Sequence, residues 1–324
     1  MLNFFLFVAH YIGINSLFYF LTRSRQRVIT YHNIIEDKFY DDAPHLGVSH
    51  SKSNFEVQIR EINKRFAFTT VIDKPKSAII TFDDGYQNNF YEALPLLNKY
   101  NVKAIFFITS DLIDSKKPLW IDQILLWFSY VPSGKYEIEN LTFTICDSNR
   151  LEAYIKLYKY LTANFNRLNS VLHQLNSSFL FSKLTVDTIY YNSRFLGLTS
   201  QQIDSMKKQN QIIACHSKSH AILSKLVSSD LKDEINFCQT KLDTIYNSSF
   251  FSYPFGSEIE VNDGVKKCLE NSNFTHSFMN IWCWTKVECM YSISRLSLPN
   301  TNSKHIIHAH LSGLYYFLKY LFKK

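Results

Sequence analysis

Four residues have the types and spacing for hydrolytic chemistry on a metal ion: Asp83, Asp84, His216 and His220. The two carboxylates close the run Ala78-Ile79-Ile80-Thr81-Phe82-Asp83-Asp84-Gly85, which reads as a buried strand with an abrupt polar end. Neighbouring carboxylates repel each other and lose solvation, so such a pair calls for a cation or a proton-transfer task. The competing reading is a plain turn, since Asp-Asp-Gly suits a strand exit. His216 and His220 stand four apart, on one side of a helix if the segment after Cys215 enters one. Two imidazoles with one carboxylate make a three-ligand set for a divalent ion. Adjacent residues of an extended chain point opposite ways. One Asp is then free to ligate while its neighbour faces a coordinated water as a base.

Something must bring these positions together, and the alternation of the chain supplies it. Strand patterns fall at Arg27–Tyr31, Ala78–Phe82, Lys103–Ile108, Gln211–Cys215, Ser249–Tyr253, Phe274–Phe278 and Tyr291–Leu296. Helical patterns lie between most of them, at Phe55–Phe66, Asn88–Tyr100, Ser200–Lys208, Ser229–Tyr246 and Asn262–Asn271. Strand–helix alternation predicts a parallel sheet, open or closed into a barrel. Polar or turn-forming clusters follow five strands: Tyr31-His32-Asn33, Asp83-Asp84-Gly85, Thr109-Ser110-Asp111, His216 to His220, and Tyr253-Pro254-Phe255-Gly256. In α/β barrels the site is built after the carboxyl ends of the strands, so these five gather on one face. Residues 111–198 break the rhythm, with an aromatic helix over Leu119–Tyr130, two strands (Lys135–Glu139, Leu141–Ile145) and helices over Leu151–Asn164 and Asn166–Asn176. This segment reads as an insertion into one unit spanning 27–324, behind an apolar N-terminal helix within 1–26.

Composition narrows the partners. At 324 residues, 46% hydrophobic and 19% charged, the chain is globular with ample core. The net charge of +7 is spread along the chain apart from Arg23-Ser24-Arg25-Gln26-Arg27 and Lys323-Lys324. No basic stripe with interleaved aromatics is present, which argues against nucleic acid. Cys146, Cys215, Cys238, Cys268, Cys283 and Cys289 form no CxxC pair, so reduced thiols in a cytoplasmic protein are expected. Residues 1–22 are apolar, but His10, Gly13, Asn15 and Ser16 interrupt them and the positive cluster follows them. Three readings stand: a helix packed on the body or on a membrane surface, an anchor, or a signal. The aromatic and basic end from Leu311 to Lys324 reads equally as a helix that closes the barrel or, with the apolar N-terminus, as a peripheral membrane contact of a cytoplasmic protein.

Thr81-Phe82-Asp83-Asp84-Gly85, His216-Ser217-Lys218-Ser219-His220 and Phe251-Ser252-Tyr253-Pro254-Phe255-Gly256 resemble, in order and separation, three motifs of the polysaccharide deacetylases. That group is the NodB-homology family, carbohydrate esterase family 4. Val28-Ile29-Thr30-Tyr31-His32 and Arg295 are similar to further phrases of it, and the resemblance covers about 27–300. It implies an α/β fold, a deformed (β/α) barrel of about seven parallel strands, and metal-dependent removal of N- or O-acetyl groups from sugars. By the resemblance Asp84, His216 and His220 bind the metal and Asp83 is the base that deprotonates a coordinated water. A backbone N–H near Phe255 helps to stabilise the oxyanion. The third motif often begins with an Arg that orients the base; here Phe251 and Ser252 stand there, and Arg295 is the replacement to look for. His32 and His308 are candidates for the general acid, alongside His305 and His310. Tyr253, Pro254 and Phe255 would line the substrate site, and Trp120 and Asp122 are candidates for a sugar surface.

One divalent metal is expected, Zn²⁺ first, with Co, Mn, Ni or Fe compatible with the same donors. The expected partner is an acetylated sugar, an oligosaccharide or a lipid-linked glycan. Two other functions fit the same residues: a glycan-binding protein that kept the fold and lost the chemistry, and a hydrolase of a non-sugar amide.

Overall fold

The computed structural model describes residues 2–41, 48–178, 188–246, 249–282 and 289–322. Cys283 and the Lys323-Lys324 end lie outside them. Seven parallel strands make the central sheet: β1 (Arg27–Tyr31), β2 (Ser77–Phe82), β3 (Ala104–Ile108), β4 (Ile212–Cys215), β5 (Phe250–Ser252), β6 (His276–Met279) and β7, split into Ile293–Ser294 and Leu296–Ser297. The order runs β7-β6-β5-β4-β3-β2-β1 and returns to β7. The first half of β7 pairs with β6 (Phe278 opposite Ile293), and the second half pairs with β1 (Ile29 opposite Leu296). One strand, interrupted at Arg295, therefore bridges the two edges of a nearly closed barrel. A two-residue strand, Ala67–Phe68, adds to β2 outside this ring.

The strands are apolar on both faces because both are covered. Val28, Ile79, Ile105, Phe107, Ala214, Phe278 and Ile293 form a cluster drawn from the strands alone, which is the barrel interior. The alternate residues Ile29, Ile80, Phe82, Phe106, Ile108 and Phe251 face outward into a larger core. That core includes Phe55, Ile59 and Ile62 of helix Lys52–Asn63, Ile203 and Met206 of Ser200–Lys208, and Ile307 and Leu311 of Lys304–Ser312. The period of two also sorts the polar ends. Ile79 and Thr81 point inward, so Asp83 follows them to the mouth of the barrel; Ile293 points inward, so Arg295 does too.

The inserted segment carries helix Trp120–Tyr130, an antiparallel hairpin (Gly134–Ile138 with Leu141–Ile145), and helices Arg150–Ala163, Leu168–Ser178 and Thr188–Phe195. It has a core of its own around Trp127, Phe128, Phe143, Leu157 and Leu161, and it reaches the barrel through Ile222 and Phe255. At the N-terminus, two helices replace the single one expected. Leu2–Tyr11 and Ile14–Leu21 meet at an angle of 81°. The break falls at Gly13, whose φ of 84° is costly for any residue with a Cβ. Both pack against Lys304–Ser312 and Leu314–Leu321, the first through Leu6 and Ala9 and the second through Ile14 and Phe18, onto Ala309, Leu314 and Leu318.

Candidate metal centre

The β2 strand ends in a tight reversal. Asp84 adopts φ 73° and Gly85 φ 85°, and the Gly85 N–H donates back to the Asp83 carbonyl. A Cβ on Gly85 would come within 2.8 Å of the Ile108 side chain, so glycine is required there on two counts. The reversal sends Asp83 and Asp84 to different partners.

Asp84 meets the two histidines. Its Oδ1 stands 3.4 Å from His216 Nε2 and 3.2 Å from His220 Nε2, and all three residues are buried. Sequence spacing suggested a helical turn for the histidines, yet 216–220 is a loop, with left-handed backbone at Ser217 and His220 (both φ 61°). Short local contacts over-determine that strained shape. Glu234, on helix Ser228–Tyr246, accepts the Lys218 and Ser219 N–H groups and the Ser219 hydroxyl. The Ser217 hydroxyl accepts the His220 N–H, and Trp120 Nε1 donates to the His220 carbonyl at 3.0 Å.

The donor set fits a cation. His216 Nδ1 lies 2.8 Å from the Ser252 carbonyl, which holds the proton on Nδ1 and leaves the Nε2 lone pair facing Asp84. Burial alone would push the Asp84 carboxyl up, and a positive partner, a cation or a protonated imidazole, is what holds it well below its ordinary range. Asp84 Oδ1 is nonetheless a buried oxygen without a hydrogen bond, 3.2 and 3.4 Å from two ring nitrogens. Donors that share one ion at roughly 2.0–2.2 Å stand about 3–3.5 Å apart. The three residues therefore present the spacing and the unspent lone pairs of a ligand set.

Asp83 meets a guanidinium. Arg295 Nη1 donates to Asp83 Oδ1 and Nη2 to Oδ2, both at 2.7 Å. The same Nη2 donates to Ser252 Oγ, whose hydroxyl donates to Asp83 Oδ2. The guanidinium that the third motif lacks thus comes from the last strand. Burial would raise the Asp83 carboxyl, but Arg295, then His216 and His32, hold it below the usual value. His32 Nε2 lies 4.0 Å from Asp83 Oδ2, and burial lowers the imidazole's pKa despite both carboxylates.

The remaining candidates divide. Phe255 (φ 61°) packs its ring 4.9 Å from His220 and 6.0 Å from both Trp120 and Tyr158 of the insertion. Its N–H takes no partner among the described residues. The Tyr253 side chain, by contrast, is turned into the core, donating to the Tyr291 carbonyl and accepting from Ser277, and Pro254 is buried beside it. His308 is not in the cluster: it lies against Tyr19, Glu61 and His10 among the terminal helices. His305 faces Phe7, and His310 reaches the Ser297 carbonyl and stacks on Tyr315. Three participants carry no sequence signal of their own. Glu234 and Ser252 act through distant partners, and Tyr86 donates to Asp122 Oδ2 at 2.8 Å, a carboxyl that burial pushes up to about 7.

The model of the polysaccharide deacetylase family matches residues 70–276, a stretch that contains Asp83, Asp84, His216 and His220. The chain belongs to the polysaccharide deacetylase family. A putative polysaccharide deacetylase of Bacillus subtilis is 43% identical over 49 residues, which is 15% of this chain and 18% of that relative. Among solved structures, a polysaccharide deacetylase from Bacillus cereus aligns at TM-score 0.56 and 15% identity, over 88% of this chain and 68% of its own. A Streptococcus pyogenes deacetylase, solved in complex with acetate, aligns at TM-score 0.56 and 14% identity, over 88% and 96%. At such identity these structures speak for the fold, and the family assignment rests on the motif-bearing match.

Proposed function

We propose that this polysaccharide deacetylase homologue removes acetyl groups from a sugar or glycan by metal-assisted hydrolysis. The observation that carries the reading is Asp83: a buried carboxylate, clamped by Arg295, beside a compact Asp84–His216–His220 donor set. A divalent ion there, Zn²⁺ in this proposal, supplies Lewis-acid polarisation of the acyl oxygen and acidifies a water molecule. The chain's own residues do the rest. Asp84, His216 and His220 hold the ion. Asp83 takes the proton of the attacking water; the Arg295 fork holds the carboxylate in one orientation and keeps it ionised at neutral pH. The Phe255 N–H is the donor for the developing oxyanion. In this proposal His32, 4.0 Å from Asp83, receives the proton that Asp83 takes from the water and, as imidazolium, passes it to the leaving amine or alkoxide. Phe255, with Trp120 and Tyr158 behind it, gives an apolar wall for a sugar face.

The test is acetate release from acetylated sugars by protein loaded with Zn²⁺ or Co²⁺. D83N and H216A should each reduce it at least about a hundredfold. Metal-loaded protein that releases no acetate from a panel of N- and O-acetylated glycans would overturn the proposal.

A further inference from the structure

The terminal helices form a second surface with its own chemistry. Leu6, Ala9, Ala309, Leu314 and Leu318 fix them together, with His10 stacked on His308 and Phe18 5.3 Å from Phe317. What they leave outside is apolar. Phe4, Ile12, Phe20, Leu21, Tyr320 and Phe322 are each at least 60% exposed. A groove of about 580 Å³ lies between Ile14–Leu21 and Leu314–Leu321, lined by Phe18, Leu21, Thr22, Arg25, Phe317 and Tyr320. Scattered exposed apolar residues need no explanation, but three adjoining helices with this much outward aromatic surface do.

Charge identifies the occupant. Residues 1–35 and 289–324 contain no Asp or Glu. The cations Arg23, Arg25, Lys304 and Lys319 stand in or beside the same helices, and the Arg23 guanidinium lies 4.0 Å over the Phe20 ring. Terminal segments that carry cations and no carboxylate side chains of their own, beside exposed aromatic side chains, complement an anionic surface with an apolar interior. Spanning is a poor fit: a bilayer core takes about 20 helical residues. The two N-terminal helices have 10 and 8 and are bent by 81°.

We propose that this face docks on an anionic lipid bilayer, with the aromatic side chains in the headgroup region and the cations against lipid phosphates. The docking is independent of the hydrolytic reading. The full-length chain is tested by co-sedimentation with phosphatidylcholine vesicles and with vesicles containing about a third phosphatidylglycerol. It should bind the anionic vesicles, weakly bind the neutral ones, and dissociate as salt screens the contact. Arg23→Ala/Lys319→Ala should weaken binding about thirtyfold, since each cation near such a surface contributes about fivefold. Phe4→Ser/Phe20→Ser should weaken it about tenfold or more while melting like the parent, because both side chains are exposed. Equal binding to neutral and anionic vesicles would overturn the proposal. So would a concentration-dependent dimer that the same substitutions abolish, which would give the face to a second copy. Retention in native membranes through salt and carbonate washes would overturn it in favour of a spanning anchor.

Discussion

Replacing Arg295 by Met tests how the base is built. Arg295 and Asp83 are 1% and 2% exposed, and their two 2.7 Å hydrogen bonds form a closed fork. Removing one partner of a buried pair strands the other charge and costs about 3–5 kcal/mol. With an unfolding entropy of roughly 2.1 cal/mol/K per residue over 324 residues, that becomes a Tm loss of about 4–7 °C. A second effect has a defined sign. The folded Asp83 carboxyl sits below its ordinary value, so its stabilisation is present above the unfolded carboxylate pKa and is lost as pH falls through the folded one. Without Arg295 the burial that opposes ionisation is less compensated, so the acid limb of hydrolysis moves to higher pH. R295K, which keeps the charge and loses the fork, should fall between. Calorimetry and pH–rate profiles of acetate release read both effects, and the D83N/R295M double variant should lose less than the sum of its parts. If R295M melts within about 1 °C of the parent and its acid limb stays in place, the clamp is not what holds Asp83 ready.

Two further outcomes follow from the insertion. Burial pushes the Asp122 carboxyl up to about 7, so in the metal-free protein its own contribution to stability falls by roughly 4 kcal/mol as pH rises from about 4 to about 7, against the opposite trend of the buried His50, His308 and His310. In urea unfolding the stability of D122N relative to the parent should therefore rise by about that amount across the range, and parallel curves for parent and variant would contradict the shift. W120F keeps an aromatic ring against Phe255 but loses the hydrogen bond to the His220 carbonyl. Zn²⁺ affinity, read by competition with a chelator, should fall about tenfold; unchanged affinity would mean that the insertion does not hold the histidine loop.

Much of this was legible residue by residue. Apolar runs bounded by polar ends marked Arg27–Tyr31 and Leu141–Ile145 at their observed limits, and the apolar period marked Ser200–Lys208. The donor set was legible because ligand chemistry restricts residue types to a few. What escaped depended on long-range partners. The expected helix Asn88–Tyr100 is a wide π turn, Asn89–Ala93, followed by Leu94–Lys99; Pro95 has no N–H to return to Tyr91, and the turn before it opens. The helix expected from Phe55 begins at Lys52, where the Ser51 hydroxyl caps it by accepting the Asn54 N–H. Tyr291–Leu296 reads as one unbroken strand, and only the two edges it joins reveal the interruption at Arg295. His308 has the right chemistry for an acid and the wrong place, since nothing local tells a packed histidine from a catalytic one.

The position of Arg295 ties two assemblies into one. Among the described strands β7 comes latest in the chain, and it is also the seam of the barrel. Until it arrives, Asp83 has no guanidinium, so a nascent or partly opened chain carries the metal donors without an armed base. On the proposed mechanism, competence for hydrolysis then becomes a report on completed closure. The same logic bears on dissection of the molecule: a fragment cut to residues 70–276 would keep Asp83, Asp84, His216 and His220 and lose both His32 and Arg295. Such a fragment would also lack β1 and β7, the strands whose pairing closes the barrel around the proposed base.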